Sequence, residues 1–251
     1  MTANPSGNDE QSGFARALQE GYLRLADPGG PTGLRRFTAP RQRPRPGENC
    51  ELCATPLADE HAHVVDTSSR ALKCTCRPCA LLFTHEGAAG GKYRAVPERY
   101  LHDPAFVLTD AQWDAVQIPV RMAFFFRNST LDKTVCFYPS PGGATESLLD
   151  LDAWAEVMAA NPAVADAEPD VEALLIQRTG EGGSAAAGEQ AWKEGAFECF
   201  LVPIDACYEL VGRVKLRWQG FSGGAEVWAD LDEFFAGLRA RSRRVGAEAR
   251  S

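Results

Sequence analysis

The chain has 251 residues, of which 45% are apolar, so it can bury a core without help from disulfides. Its 24% charged residues and mean hydropathy of -0.25 exclude a disordered or fibrous protein. A net charge of -8 and a pI near 5.1 argue against nucleic-acid binding. The sequence shows neither a signal-peptide pattern nor an apolar run of membrane-spanning length. We therefore expect a soluble, cytoplasmic protein.

In chain order, residues 1–49 predict a flexible arm with one short helix at residues 14–25. Five arginines alternate with prolines between Arg35 and Arg45, a composition that favours an extended, solvated linker. Such a basic run can also contact an acidic partner or RNA, and we favour the linker. Residues 50–86 predict a compact cysteine module, which a glycine-rich link separates from a larger domain at residues 92–245.

The larger domain alternates predicted strands and helices. Thr109 and Gln112 have the spacing of a capping box at a helix start. Asp152 and Asp205 are predicted to cap two further helices, and a last helix follows Gly223. Strands with helices between and after them predict an α+β fold with a mainly antiparallel sheet. The predicted strands are residues 118–126, 134–138, 145–149, 171–177 and 197–202.

Five of the eight cysteines fall between residues 50 and 79, in an arrangement that contains two C-x-x-C turns. Each such turn points two thiolates at one metal ion, and a hairpin at Thr67–Arg70 returns the chain to the first turn. Cytosolic thiols are mostly reduced, so clustered cysteines are typical of metal binding. We predict a structural zinc ion held by Cys50, Cys53, Cys76 and Cys79.

The fifth cysteine of the module is Cys74, which the predicted hairpin places directly opposite His63. One interpretation is a reactive thiol activated by His63 or Arg77, or a replacement ligand during metal transfer. The other, which we favour, is a small apolar residue on the buried face of the hairpin. His85 lies just beyond the second C-x-x-C turn and is a candidate ligand in place of Cys76 or Cys79.

Zinc is not the only metal that four thiolates hold. A rubredoxin-type iron site uses the same turns, usually with glycine after the second cysteine of each. Ala54 and Ala80 occupy those places here, and the left-handed conformation is costly for alanine, which favours zinc over iron. An iron–sulfur cluster is a third possibility, because Cys74 supplies an additional thiolate.

The rest of the chain carries no familiar catalytic motif, so we expect a non-catalytic protein. Residues 139–147, which are rich in serine and glycine, predict a hairpin turn. Residues 134–177 contain eight acidic residues and no lysine or arginine, which is typical of a solvated face but also suits a basic partner or the chain's own arginine-rich ends. The remaining cysteines are predicted core thiols: Cys136, Cys199 and Cys207.

Six segments of the sequence together resemble a known family: Cys50–Cys53, Leu72–Phe83, Ile118–Val120, Tyr138–Ser147, Asp170–Leu175 and Trp218–Gly224. The family they resemble is uncharacterised and is encoded beside actinobacterial-type nickel–iron hydrogenases. The resemblance covers most of residues 50–239 and implies an accessory role in hydrogenase assembly or electron delivery, with no ligand residue to carry over.

Three functional hypotheses follow. The first is a zinc-stabilised accessory protein that binds a protein partner, such as a hydrogenase subunit or maturation factor. The second is a rubredoxin-like protein whose iron transfers electrons. The third is an enzyme that uses Cys74 as a reactive thiol with His63 as its neighbour.

Overall fold

The computed structural model describes residues 49–147, 154–179, 196–220 and 223–246. All of these residues lie in one compact unit of the chain, Pro44–Ser251. The predicted helix at residues 14–25, the arginine–proline linker and the predicted cap Asp152 lie outside the described residues.

A small sheet forms the cysteine module, with strands β1 (Ala62–Asp66), β2 (Ala71–Thr75) and β3 (Tyr93–Ala95) in the antiparallel order β2-β1-β3. The predicted hairpin of β1 and β2 is confirmed, including its register, in which His63 lies opposite Cys74. Asp66 closes the turn, because its carboxylate accepts hydrogen bonds from the N–H and hydroxyl of Ser68. The third strand lies beyond residue 86, the predicted end of the module.

The described part of the larger domain contains seven further strands: β4 (Leu101–Asp103), β5 (Met122–Asn128), β6 (Lys133–Ser140), β7 (Gly143–Ser147), β8 (Glu172–Thr179), β9 (Ala196–Pro203) and β10 (Arg243–Arg244). They form one sheet in the order β10-β4-β9-β8-β5-β6-β7. Every neighbouring pair is antiparallel except β10 with β4. The predicted α+β class with a mainly antiparallel sheet is therefore confirmed.

The described helices are α1 (Arg77–Leu81), α2 (Asp110–Ala115), α3 (Trp154–Ala160), α4 (Ile204–Arg217) and α5 (Gly224–Arg241). Short 3₁₀ turns occupy Ala88–Gly91 and Pro162–Val164. The predicted capping box at the start of α2 is confirmed. The hydroxyl of Thr109 accepts from the N–H of Gln112 at 3.2 Å, and the amide oxygen of Gln112 accepts from the N–H of Thr109 at 3.0 Å.

Helices cover both faces of the large sheet. Successive residues of a strand point to opposite faces, so Phe124 and Phe126 pack on one side while Phe125 packs on the other. Helices α4 and α5 cover the first side, and Phe235 of α5 is buried there. Helices α2 and α3 cover the second side, and Trp113 of α2 is buried there. The central strands are therefore apolar on both faces.

Three cysteines lie in this core, which confirms that they are core thiols. Cys136 of β6 is 1% exposed, and Cys199 and Cys207 are fully buried. Burial disfavours a charged thiolate, so it raises the pKa of all three and brings that of Cys136 to about 12.

Two predicted boundaries were wrong. The strand predicted to start at residue 118 is β5 and begins at Met122, because Gln117 turns the chain with a φ of 48° and Pro119 lacks the N–H that pairing requires. Asp205 does not cap α4, which begins at Ile204 directly after Pro203. Asp205 lies inside the first turn of the helix, where its carboxylate contacts the cysteine module.

Candidate metal centre

The first pair of cysteines, Cys50 and Cys53, lies in a tight turn. The N–H of Ala54 donates to the carbonyl of Cys50 at 2.7 Å, and the N–H of Cys50 donates to the carbonyl of Thr55 at 2.8 Å. Ala54 has a φ of 63°, the left-handed conformation that glycine usually supplies. The turn is therefore formed despite the cost of this conformation for alanine.

The second pair lies at the start of helix α1. Cys76 is the residue before the helix and Cys79 lies in its first turn, with Pro78 at a position that favours helix initiation. Residues three apart at a helix start share one side, so both sulfurs point the same way. Ala80 lies within the helix and is buried, so this pair differs in conformation from the first.

Glu51 links the two segments that carry the cysteine pairs through hydrogen bonds to Cys74. Its N–H donates to the carbonyl of Cys74 at 2.9 Å, and its carboxylate accepts the N–H of Cys74 at 2.9 Å. The Sγ atoms of Cys50, Cys53, Cys76 and Cys79 all lie within 4.8 Å of one another. In a tetrahedral site with metal–sulfur bonds of about 2.3 Å, the sulfurs would be about 3.8 Å apart. These residues, the four-cysteine group, can therefore hold a metal ion.

The protonation of these four thiols depends on how close their sulfur atoms lie to one another and to nearby hydrogen-bond donors. Hydrogen bonds from the hydroxyl and then the N–H of Thr55 lower the pKa of Cys53 to about 6. Burial raises the pKa of Cys50, but nearby backbone N–H groups outweigh it and the net shift is downward. Burial and the neighbouring sulfurs together raise the pKa of Cys79. Four thiolates at this spacing repel one another, so a bound cation would stabilise all of them and release protons.

A second set of side chains, the histidine–cysteine group, comprises His61, His63 and Cys74. One ligand atom from each residue lies within 4.8 Å of the others, and the two imidazole rings are 4.7 Å apart. The predicted closeness of His63 and Cys74 is thus observed. His61 was not predicted as a candidate ligand, although residues two apart in an extended chain share a face.

His85 lies outside both groups within the described part of the chain. Its exposed ring instead accepts a hydrogen bond from the N–H of Gly87 at 3.1 Å. This local bond stabilises the turn that leads towards β3.

Several residues of the acidic segment pair with arginines of the same chain. The fully buried Glu172 binds Arg99, and Glu168 lies 3.2 Å from Arg94. Arg94 lies within β3, and Arg99 lies between β3 and β4. Neither arginine therefore belongs to the arginine-rich ends of the chain. Glu172 therefore stabilises the interior of the fold, whereas Glu168, which is 53% exposed, forms a surface pair.

Within the described residues, no helix combines the length and apolar character needed to cross a membrane. Residues 49–242 match the model of a family of unknown function, DUF5947. No curated protein matches the chain, and no solved structure matches it. The match includes both groups of candidate ligands and most of the large sheet. The chain therefore belongs to the DUF5947 family.

Proposed function

We propose that the chain is a non-catalytic, zinc-binding accessory protein of the cytoplasm. The observation that carries the proposal is the convergence of four free thiols, from two separate segments, within 4.8 Å. Four protein ligands fill every position of a tetrahedral zinc site, as is typical of the structural zinc sites that stabilise small folds. In this role the ion would hold the turn at Cys50 against the start of α1.

Iron in a rubredoxin-like site is the second candidate, and one observation favours it. Ala54 adopts the left-handed conformation expected after the second cysteine of a rubredoxin turn, so the alanine argument against iron fails at the first pair. It holds at the second pair, where Ala80 is part of a helix. The second pair therefore does not adopt the rubredoxin turn, and zinc remains our proposal.

The proposed accessory role requires a surface for a protein partner, which we propose to be a hydrogenase subunit or maturation factor. Of the six large apolar side chains that are exposed in the described part of the chain, three belong to the ligand-bearing segments: Leu52, Leu81 and Leu82. Leu81 and Leu82 are 56% and 67% exposed and lie two and three residues after Cys79. A metal ion that fixes this segment would thus also fix an apolar contact surface.

Metal analysis tests the zinc proposal. After dialysis against a weak chelator, the wild type should retain about one zinc ion per chain and remain colourless. Cys76→Ser should lose this ion, whereas Cys136→Ser should keep it, because Cys136 is a core thiol of the large sheet. Visible absorption that dithionite bleaches would indicate bound iron and contradict the zinc proposal.

Affinity capture tests the partner. We would isolate tagged full-length protein from cells that make the native hydrogenase and compare wild type, Cys76→Ser and the double variant Leu81→Ser/Leu82→Ser. Leu216→Ser is a matched control, because Leu216 is 86% exposed at the end of α4, away from the cysteine pairs in sequence. Recovery of a hydrogenase component by the wild type and the control alone supports the proposal. Recovery of no such component by the wild type would contradict it.

A further inference from the structure

We propose that His61, His63 and Cys74 form a second, separate site for a divalent metal ion of the zinc class. The site shares no ligand with the four-cysteine group, and it requires neither zinc in that group nor a protein partner. Two imidazoles and one thiolate are ligands that such ions prefer.

His63 is oriented by a carboxylate from another part of the fold. Its Nδ1 lies 2.8 Å from Oδ2 of Asp205 in the first turn of α4. A carboxylate accepts, so Nδ1 carries the proton, and in the neutral imidazole Nε2 has the lone pair that a metal ion needs. Histidine ligands in metal sites typically donate their second N–H to a carboxylate in this way, which fixes the ring and strengthens the ligand.

His61 is oriented by backbone carbonyls. Its Nδ1 lies 3.0 Å from the oxygen of Ala58 and 3.1 Å from that of Asp59. Carbonyl oxygens only accept, so Nδ1 again carries the proton. The other nitrogen, Nε2, is buried, and the residues that the structure describes offer it no hydrogen-bond partner. A buried polar atom without a partner costs about 1–3 kcal/mol, and coordination to a metal ion would remove that cost.

Cys74 completes the group through the register of the hairpin. It lies opposite His63 in β2, and both its N–H and its carbonyl are hydrogen-bonded to Glu51. Its backbone is therefore held at both polar groups, and its side chain lies beside the imidazole of His63. Ligand nitrogens around a zinc ion are about 3.3 Å apart, so side-chain movements of about 1 Å would close the observed group around an ion.

Three protein ligands leave one tetrahedral position open. Closed four-ligand sites are structural, whereas sites with three protein ligands admit water, substrate or an exchanging ligand. We therefore expect the second ion to bind more weakly and to exchange faster than an ion in the four-cysteine group. The contact with Asp205 also means that this ion would bind at the junction of the hairpin and α4.

Cobalt titration of the full-length, zinc-loaded protein tests the site. Co²⁺ bound to one thiolate gives a sulfur-to-cobalt absorption band, so the wild type should bind one additional equivalent with this band. Cys74→Ser should lose the band, and His61→Ala should bind at least about tenfold more weakly. His85→Ala is the matched control and should behave as the wild type, because His85 lies outside the group.

Asp205→Ala separates positioning from ligation. It removes no proposed ligand, yet it should weaken cobalt binding by about 10- to 100-fold while the circular dichroism spectrum stays that of the wild type. If His61→Ala fails to fold, Asp205→Ala and Cys74→Ser still decide the question. A wild type that binds no second equivalent, or an affinity unchanged in Asp205→Ala, would overturn the proposal.

Discussion

The buried ion pair of Arg99 and Glu172 gives the strongest prediction about stability. The Glu172 side chain is fully buried at the start of β8 and accepts hydrogen bonds from Nε of Arg99 at 2.8 Å and from Nη2 at 2.5 Å. The N–H of Glu168 supplies a third bond at 2.8 Å. The hydrogen bond with Glu172 raises the pKa of Arg99, so the guanidinium stays charged.

Arg99→Met keeps most of the aliphatic stem but leaves a buried carboxylate without its cation. Breaking a buried pair in this way costs about 3–5 kcal/mol. Because the Arg99 side chain is 33% exposed, water screens part of the interaction and we expect the lower end, about 3 kcal/mol. With a urea slope of about 2–3 kcal/mol/M for a domain of this size, the unfolding midpoint should fall by about 1 M.

The measurement is urea unfolding followed by circular dichroism, with zinc held constant. Arg77→Met is the matched control, since the side chains of its pair with Glu98 are 74% and 83% exposed and should contribute less than about 1 kcal/mol. The double variant Arg99→Met/Glu172→Gln should be more stable than Arg99→Met, because it no longer buries an unpaired charge. If Arg99→Met and Arg77→Met lowered the free energy of unfolding equally, the buried pair would have no special role and the prediction would be wrong.

Three further predictions concern the helices and the core. Thr109→Ala removes the capping box of α2 and should lower the free energy of unfolding by about 1 kcal/mol in the same assay. Gly223→Ala should lower the free energy of unfolding by about 2 kcal/mol or more, because φ is 87° and the added Cβ would lie 2.9 Å from Val227. Gly220→Ala is its control and should lower it by less, since φ is 63° but the Cβ would meet open space. Alkylation of native protein should spare the three core thiols, and their modification at the rate of unfolded protein would contradict the core assignment. These thiols are Cys136, Cys199 and Cys207.

The hairpin of the cysteine module could be predicted from sequence, because its information is local. A four-residue turn between two short strands sets the register, and the register alone places His63 beside Cys74. The paired spacing of the cysteines likewise specifies which sulfurs are close. The conformation of Ala54 could not be predicted, since its intrinsic cost is outweighed by the contacts that close the turn.

The acidic segment shows what local patterns leave out. Glu172 and Arg99 are 73 residues apart, so composition alone could not distinguish a buried ion pair from a solvated face. The same holds for Asp205, whose position near a helix start suggested a cap. Its partner, His63, lies 142 residues earlier in the chain. Long-range polar pairs of this kind become visible only when the sheet and α4 are in place.

One strand register supports the core and both candidate metal sites. Val65 and Leu72 lie opposite each other and pack into the core with α4, and His63 and Cys74 continue the same face of the hairpin. Cys76 follows β2 directly, at the point where the chain enters α1, and it belongs to the four-cysteine group. A slip of one residue would turn all of these side chains to the opposite face. Apolar burial of Val65 and Leu72 therefore stabilises the register on which the proposed metal binding depends.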